Sequence, residues 1–321
     1  MPEAYTHIRT ARAAAELAQI EPADPVAFAA GANGPDMFFC YRCWLPGARR
    51  GQDLPALGSR MHNDNTGAFL MSLLKNARTK AQRSYALGFL THYAADTTVH
   101  PYINAVSGPG GVYDRPGGHG YFEIAIDSWL HKKDTGDGAV YAKDSCPRLL
   151  GAALAEVGVL LEKALQEAYG LTITREALAD TFHHTYYWRS CFVSRWRLKY
   201  AFFWLVEPLF GGRGRITGHM TPAHLKGTGR RDKQKLPSTW NHPVTGEEIN
   251  GGIPELLDRS QRRGAAYMMA AQGFWKGKVK DYQLKVLLGS KSYNTGLEDD
   301  CSLGLAPAAE EPAPAEELQM V

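Results

Sequence analysis

The sequence predicts an all-α fold, a multi-helix bundle, on three observations. Apolar residues recur at three- and four-residue spacing through long segments. Almost no segment alternates apolar and polar residues with a period of two, as half-buried strands do. Glycine- and proline-rich stretches separate the periodic segments. At 321 residues the chain is long enough for one large domain or two smaller ones. We expect a single helical domain over residues 1–306 and a tail over residues 307–321.

The elements follow in order. Ala11 to Ala18 reads as a short helix, and Glu21 to Pro25 interrupts it. Val26 to Ala30 leads into Gly-Ala-Asn-Gly-Pro-Asp (residues 31–36), a turn by composition. Residues 49–60 are expected to be loop. From Met61 to Ala77, Phe69, Leu70, Leu73 and Leu74 fall at helical spacing. Ala81 to Val99 is a second, strongly apolar helix, and Pro101 is expected to end it because the residue before a proline is pushed out of the α region. Residues 107–118 form a glycine-rich loop, and His119 to His131 a third helix. Leu149–Tyr169, Arg175–Lys199 and Ile253–Gln272 read as further helices. Residues 210–238 are rich in Gly, Arg and Lys and predict a long basic surface loop. The tail alternates Ala, Pro and Glu and cannot bury a core, so it is expected to be disordered. No internal repeat is present.

Composition narrows the function classes. A formal net charge of +3 is too small to argue for nucleic acid or a membrane surface. No apolar run approaches the roughly 20 residues needed to span a bilayer. The opening Met-Pro-Glu-Ala-Tyr-Thr-His-Ile-Arg-Thr lacks the basic and apolar regions of a secretory leader. Five cysteines, an odd number, fit reduced thiols, and the expected location is the cytoplasm.

Chemistry concentrates in Thr91-His92-Tyr93-Ala94-Ala95-Asp96-Thr97-Thr98-Val99-His100-Pro101. Residues four apart on a helix lie about 40° from one another around its axis, so His92 and Asp96 share a face and His100 continues the stripe. A His–carboxylate pair at that spacing suits one divalent ion. Buried in an apolar helix, such a stripe is costly unless metals or partners neutralise it. His119-Gly120-Tyr121-Phe122-Glu123 repeats the device on the next helix. A single buried His–Asp pair is more often a core hydrogen bond; two such pairs plus a third histidine point to metal.

The stretch Tyr85-Ala-Leu-Gly-Phe-Leu-Thr-His-Tyr-Ala-Ala-Asp-Thr-Thr-Val-His-Pro-Tyr-Ile-Asn104 resembles the core motif of the bacterial zinc-dependent phospholipase C family. So does His119-x3-Glu123, and Tyr5-Thr6-His7, Gly34-Pro35-Asp36 and His62 extend the likeness over about the first 130 residues. The resemblance implies a helical bundle with three zinc ions in a cleft, related to fungal zinc-dependent single-strand nucleases. Carried onto this sequence, it implies that Asp36, His62, His92 and Asp96 hold one zinc. His100, His119 and Glu123 would hold a second. Asp96 would bridge to a third, completed by His7 and the chain's N-terminal amino and carbonyl groups. The resemblance also makes Asp36 the general base. Paired metals polarise a phosphoryl oxygen, lower the pKa of bound water and offset charge on the leaving alkoxide.

The expected function is therefore zinc-dependent phosphodiester hydrolysis, with a phosphoester substrate that the resemblance makes a phospholipid. A nuclease or another soluble phosphoesterase is the alternative, and a non-catalytic metal-binding module a third. Other candidates weigh less. Cys40-Tyr-Arg-Cys43 has no second CxxC and reads as isolated thiols. His183 and His184 lie among Tyr186, Tyr187, Trp188 and Trp196, an expected core-packing aromatic face. His219, His224 and His242 are expected at the surface, with the cleft rim as an alternative for His242. The basic loop reads as a solvated run, or alternatively as a contact for anionic substrates.

Overall fold

The computed structural model describes residues 4–210, 214, 216–226 and 235–298. Residues 211–213, 215 and 227–234 of the predicted basic loop, and all of the predicted tail, lie outside the described residues. Twelve α-helices and one small hairpin are described: α1 Ala4–Ala18, α2 Pro25–Gly31, α3 Leu54–Asn63, α4 Thr66–Asn76, α5 Lys80–Ser107 and α6 Gly118–Thr135. There follow α7 Ala142–Ser145, α8 Gly151–Tyr169, α9 Arg175–Cys191, α10 Leu198–Val206, β1 Thr239–Asn241, β2 Glu248–Asn250, α11 Ile253–Trp275 and α12 Asp281–Leu288. The fold is all-α apart from the antiparallel β1–β2 pair, in which Trp240 faces Ile249.

Helix α5 is the axis of the molecule, 28 residues long, or about 42 Å at 1.5 Å per residue. Thr79 caps it in a capping box with Gln82, which satisfies two otherwise orphaned N–H groups. Its first half packs into an apolar core with α1, α2, α4, α8, α9 and α11, through Tyr85, Phe89, Leu90 and Tyr93. Its second half enters another core through Val99, Tyr102, Ile103 and Val106, against α6, the hairpin and the start of α11. The polar stretch around Asp96 lies at the seam between the two cores. Helix α2 crosses α5 backbone to backbone. A Cβ added to Gly31 would stand 2.0 Å from the Tyr85 carbonyl oxygen, and one added to Gly88 2.0 Å from that of Phe28.

Several boundaries differ from the sequence expectation. Helix α5 runs through Pro101 to Ser107 rather than ending before it. A proline removes one hydrogen bond and crowds the carbonyl four residues back. The burial of Tyr102, Ile103 and Val106 outweighs that loss. Residues 49–60 contain the start of α3, where Asp53 accepts from Ala56 N–H and Pro55 occupies the first turn. The expected helix 175–199 breaks after Cys191: Ser194 N–H donates to Thr221 O (2.8 Å) and Thr221 N–H to Phe192 O (3.1 Å), so tertiary pairing takes those groups from a helix. The aromatic face around His183 is not core, since Tyr187 is 57 % and Trp196 77 % exposed. Helix α12 and the hairpin had no clear sequence signal. The described cysteines Cys40, Cys43, Cys146 and Cys191 form no disulfide with one another.

Candidate metal centre

The eight sequence candidates come from five elements. His7 lies in the first turn of α1, Asp36 in a 3-10 turn over Gly34–Cys40, and His62 at the end of α3. His92, Asp96 and His100 descend α5, while His119 and Glu123 open α6. All are buried except His119, which is half-exposed at 42 % of its side chain. The structure gathers seven of them into two groups, Asp36–His62–His92–Asp96 and His100–His119–Glu123, each with one ligand atom per residue within 4.8 Å of the others, and sets His7 beside the first.

Within the first group, His62 Nε2 is 3.1 Å from Asp36 Oδ1 and 3.8 Å from Asp96 Oδ2. His92 Nε2 is 3.1 Å from Asp96 Oδ2 and 3.8 Å from Asp36 Oδ1. His7 adds its Nε2 3.3 Å from the other oxygen of Asp96, Oδ1. Asp96 thus presents one oxygen to His92 and His62 and the other to His7. In the second group, Glu123 Oε1 lies 2.9 Å from His119 Nε2 and 3.4 Å from His100 Nε2.

These contacts test whether zinc fits. Both ring nitrogens of His7, Nε2 of His92 and both oxygens of Asp96 are buried without an aligned hydrogen-bond partner. Buried polar atoms are rarely left so, because an unpaired one costs about 1–3 kcal/mol and a charge more. Atoms bound tetrahedrally to one zinc at about 2.0–2.1 Å stand about 3.3 Å apart. His62 Nε2 and Asp36 Oδ1 are also within a hydrogen bond of each other, but the other contacts, 3.1–3.8 Å long and not aligned as hydrogen bonds at His92 and Asp96, match lone pairs converging on a common point. The N/O donor set fits zinc.

Outer contacts orient the rings. His92 Nδ1 faces the Ala32 carbonyl (3.2 Å), His62 Nδ1 the Gly58 carbonyl (2.7 Å) and His119 Nδ1 the Ser107 hydroxyl (3.3 Å). An N–H donated from Nδ1 leaves the Nε2 lone pair aimed into the cluster. Gly34, at φ +51°, lies flat on the His92 ring, where an added Cβ would stand 2.3 Å from the imidazole. Burial alone would push Asp96 up, but His92 and His7 hold it well below the usual carboxylate range. Burial pushes His7 and His100 down. For His92, burial is outweighed by Asp96 and Asp36, which pull it above its ordinary value. A deprotonated carboxylate and neutral imidazoles are the forms that bind metal.

Sequence reasoning missed Asp127. Its carboxylate accepts from Tyr5 N–H and Thr6 N–H, both at 2.9 Å, capping α1 from another helix and so fixing the turn that carries His7. The signal was there: Asp127 continues the His119–Glu123 spacing by four more residues. Asp127 and Asp36 line a cleft of roughly 230 Å³ with Phe39, Trp188, Arg189 and His219. Of the three loop histidines, His219 lines that cleft, His224 is exposed, and His242 is buried beneath the hairpin turn, where its Nε2 meets the Thr295 carbonyl at 2.9 Å. The proposed N-terminal ligand of a third zinc lies outside the described residues. No helix among the described residues is long and apolar enough to cross a membrane.

No curated protein and no solved structure matches the chain. Residues 6–164, which contain all eight candidate residues, match the family model described as zinc dependent phospholipase C. Through that segment, the chain belongs to the zinc-dependent phospholipase C family.

Proposed function

We propose that the protein is a zinc-dependent phosphodiester hydrolase of phospholipase C type, with residues up to 306 working as one domain. Asp36, His62, His92 and Asp96 would hold one zinc, and His100, His119 and Glu123 a second. His7 and Asp96 would contribute to a third. Zinc bound there supplies Lewis-acid activation of water and of the phosphoryl group.

The remaining work falls to the chain. The observation that carries the reading is that Asp36 belongs to the first cluster and also lines the cleft. It faces both the zinc ligands and any substrate, so it can take the proton from the attacking water. Arg189 and His219 on the cleft wall suit an anionic phosphoryl group. Phe39, Ile124, Val140, Trp188 and Phe192 give the wall an apolar part beside its polar residues, which suits a substrate carrying hydrocarbon close to its phosphate.

Elemental analysis should return two or more zinc ions per chain; less than one removes the proposal. Zinc-loaded protein should hydrolyse phosphatidylcholine in preference to single-stranded DNA and to a generic soluble phosphodiester, and a preference for DNA would reassign it as a nuclease. Asp36→Asn should slow turnover by about 10²–10⁴-fold while retaining most of its zinc. His92→Ala should lose zinc outright.

A further inference from the structure

We propose that the segment from Trp188 to Leu209 docks the protein on an anionic lipid surface, with α10 lying in the interface beside the mouth of the cleft. The purpose of docking rests on the phosphodiesterase reading, but the binding itself is tested separately.

Eight of the nine residues of α10, Leu-Lys-Tyr-Ala-Phe-Phe-Trp-Leu-Val, are apolar or aromatic, yet none is buried. A helix that is apolar all round normally sits inside a core. Here Leu198 is 76 %, Phe202 61 %, Leu205 71 % and Leu209 81 % exposed. Together with Trp196 they form a continuous stretch of large exposed side chains, the kind of surface that marks an interaction site.

Charge identifies the partner. Between Thr181 and Leu225 the sequence has six Lys and Arg residues and one carboxylate, Glu207. Glu207 is buried, accepting hydrogen bonds from Gly214 N–H, Thr217 N–H and the Thr217 hydroxyl, so it presents no charge outward. Arg195 pairs with Asp137, whereas Arg197 and Lys199 stand exposed at the start of α10. Apolar and aromatic side chains with a cationic fringe are what an interfacial helix offers to anionic headgroups. Nine residues span about 14 Å against a hydrocarbon layer of about 30 Å, so α10 lies in the interface and does not cross it.

Position ties the surface to the site. Trp188, Arg189 and Phe192, just before α10, line the cleft, as do His219 and Thr221, which hold the segment from below. The His219 ring stands 6.0 Å from that of Phe192 and abuts Gly120, next to His119. Docking through α10 therefore brings the cleft mouth to the bilayer surface. The segment lies outside residues 6–164, so the family match does not account for it.

The test is co-sedimentation of the zinc-loaded full chain with vesicles of phosphatidylcholine containing about a quarter phosphatidylglycerol, read also by tryptophan fluorescence. The wild type should bind these vesicles, and bind pure phosphatidylcholine or high-salt samples more weakly. The double variant Phe202→Asp/Leu205→Asp should lose at least about tenfold in partitioning while keeping its circular dichroism and its hydrolysis of a soluble phosphodiester. Should that variant fail to fold, Arg197→Glu/Lys199→Glu should selectively weaken binding to the anionic vesicles. Absence of wild-type binding overturns docking, as does equal binding by a folded variant. So does a stable dimer that the double variant splits, which would mean that a second copy covers the face. Vesicle binding without hydrolysis of any phosphodiester upholds docking and removes the enzymatic reading; soluble hydrolysis without vesicle binding does the reverse.

Discussion

Tyr293 stands edge-on to His62, with ring centroids 5.2 Å apart, and its backbone N–H donates to the His62 carbonyl at 2.8 Å. The same tyrosine meets the His92 ring at 5.6 Å and 82°. It is delivered by the turn after α12, which Tyr93 secures: its hydroxyl donates to Leu288 O and accepts from Lys291 N–H. A residue far from the family-matched segment thus buttresses two proposed zinc ligands.

Tyr293→Ala should cost about 3–5 kcal/mol, because a fully buried ring is lost and its neighbours relax only in part. It should also lower zinc content, since His62 and His92 lose the wall that fixes their rings. Tyr293→Phe keeps that wall and should stay within about 1.5 kcal/mol of wild type. Urea unfolding with elemental analysis of both variants checks this, and full zinc occupancy in folded Tyr293→Ala would show that the ring is not needed.

Chelation should destabilise the protein. Without metal, Asp96, His7 and His92 keep buried polar atoms with no aligned partner. Each zinc site at a free ion concentration 100 times its Kd adds about 2.7 kcal/mol. Calorimetry should record a drop in Tm with a strong chelator and recovery on adding zinc. An unchanged Tm would argue that these clusters bind no metal.

Glu207 provides a pH-dependent anchor for the segment carrying α10. Burial raises its pKa, but the amides of Gly214 and Thr217 and the Thr217 hydroxyl outweigh that and hold it below the usual range. A carboxylate whose folded pKa is depressed contributes stability above its unfolded pKa, about 4.3, and loses it as pH falls through the folded value. Glu207→Gln should therefore cost about 1–3 kcal/mol near neutral pH, and the difference from wild type should fade below about pH 4. Paired denaturation curves across that range decide it; a difference independent of pH would assign the effect to packing.

Gly88→Ala pits propensity against space. Alanine gains about 1 kcal/mol over glycine within a helix. A Cβ at position 88 would stand 2.0 Å from the Phe28 carbonyl oxygen, which is backbone and cannot swing aside. Forcing α2 off α5 should cost about 1–3 kcal/mol or more, so the net change should be destabilising. Urea unfolding measures it, and a more stable variant would show that α2 can shift at little cost.

The sequence determined the helical class and proposed the site, because both rest on local spacing. His92, Asp96 and His100 fall four residues apart whatever surrounds them, and Glu123 follows His119 by the same rule. The resemblance brought Asp36, His62 and His7 into the same set, and the structure brings seven of the eight residues into two clusters with His7 beside the first. What it could not determine is anything set by contacts between distant segments. Pro101 reads as a helix stop until Tyr102 and Ile103 are seen buried in a second core. Phe192 to Arg197 reads as helix until Thr221 is seen pairing with it. Tyr186, Tyr187, Trp188 and Trp196 read as a core-packing face, and only the tertiary structure decided that Tyr187, Trp188 and Trp196 face outward, with Trp188 at the cleft. Asp127 and Tyr293 complete the picture: one caps a helix more than a hundred residues earlier, and the other walls in two histidines across most of the chain. Hydrophobic burial and hydrogen-bond closure at such separations leave no period in the sequence.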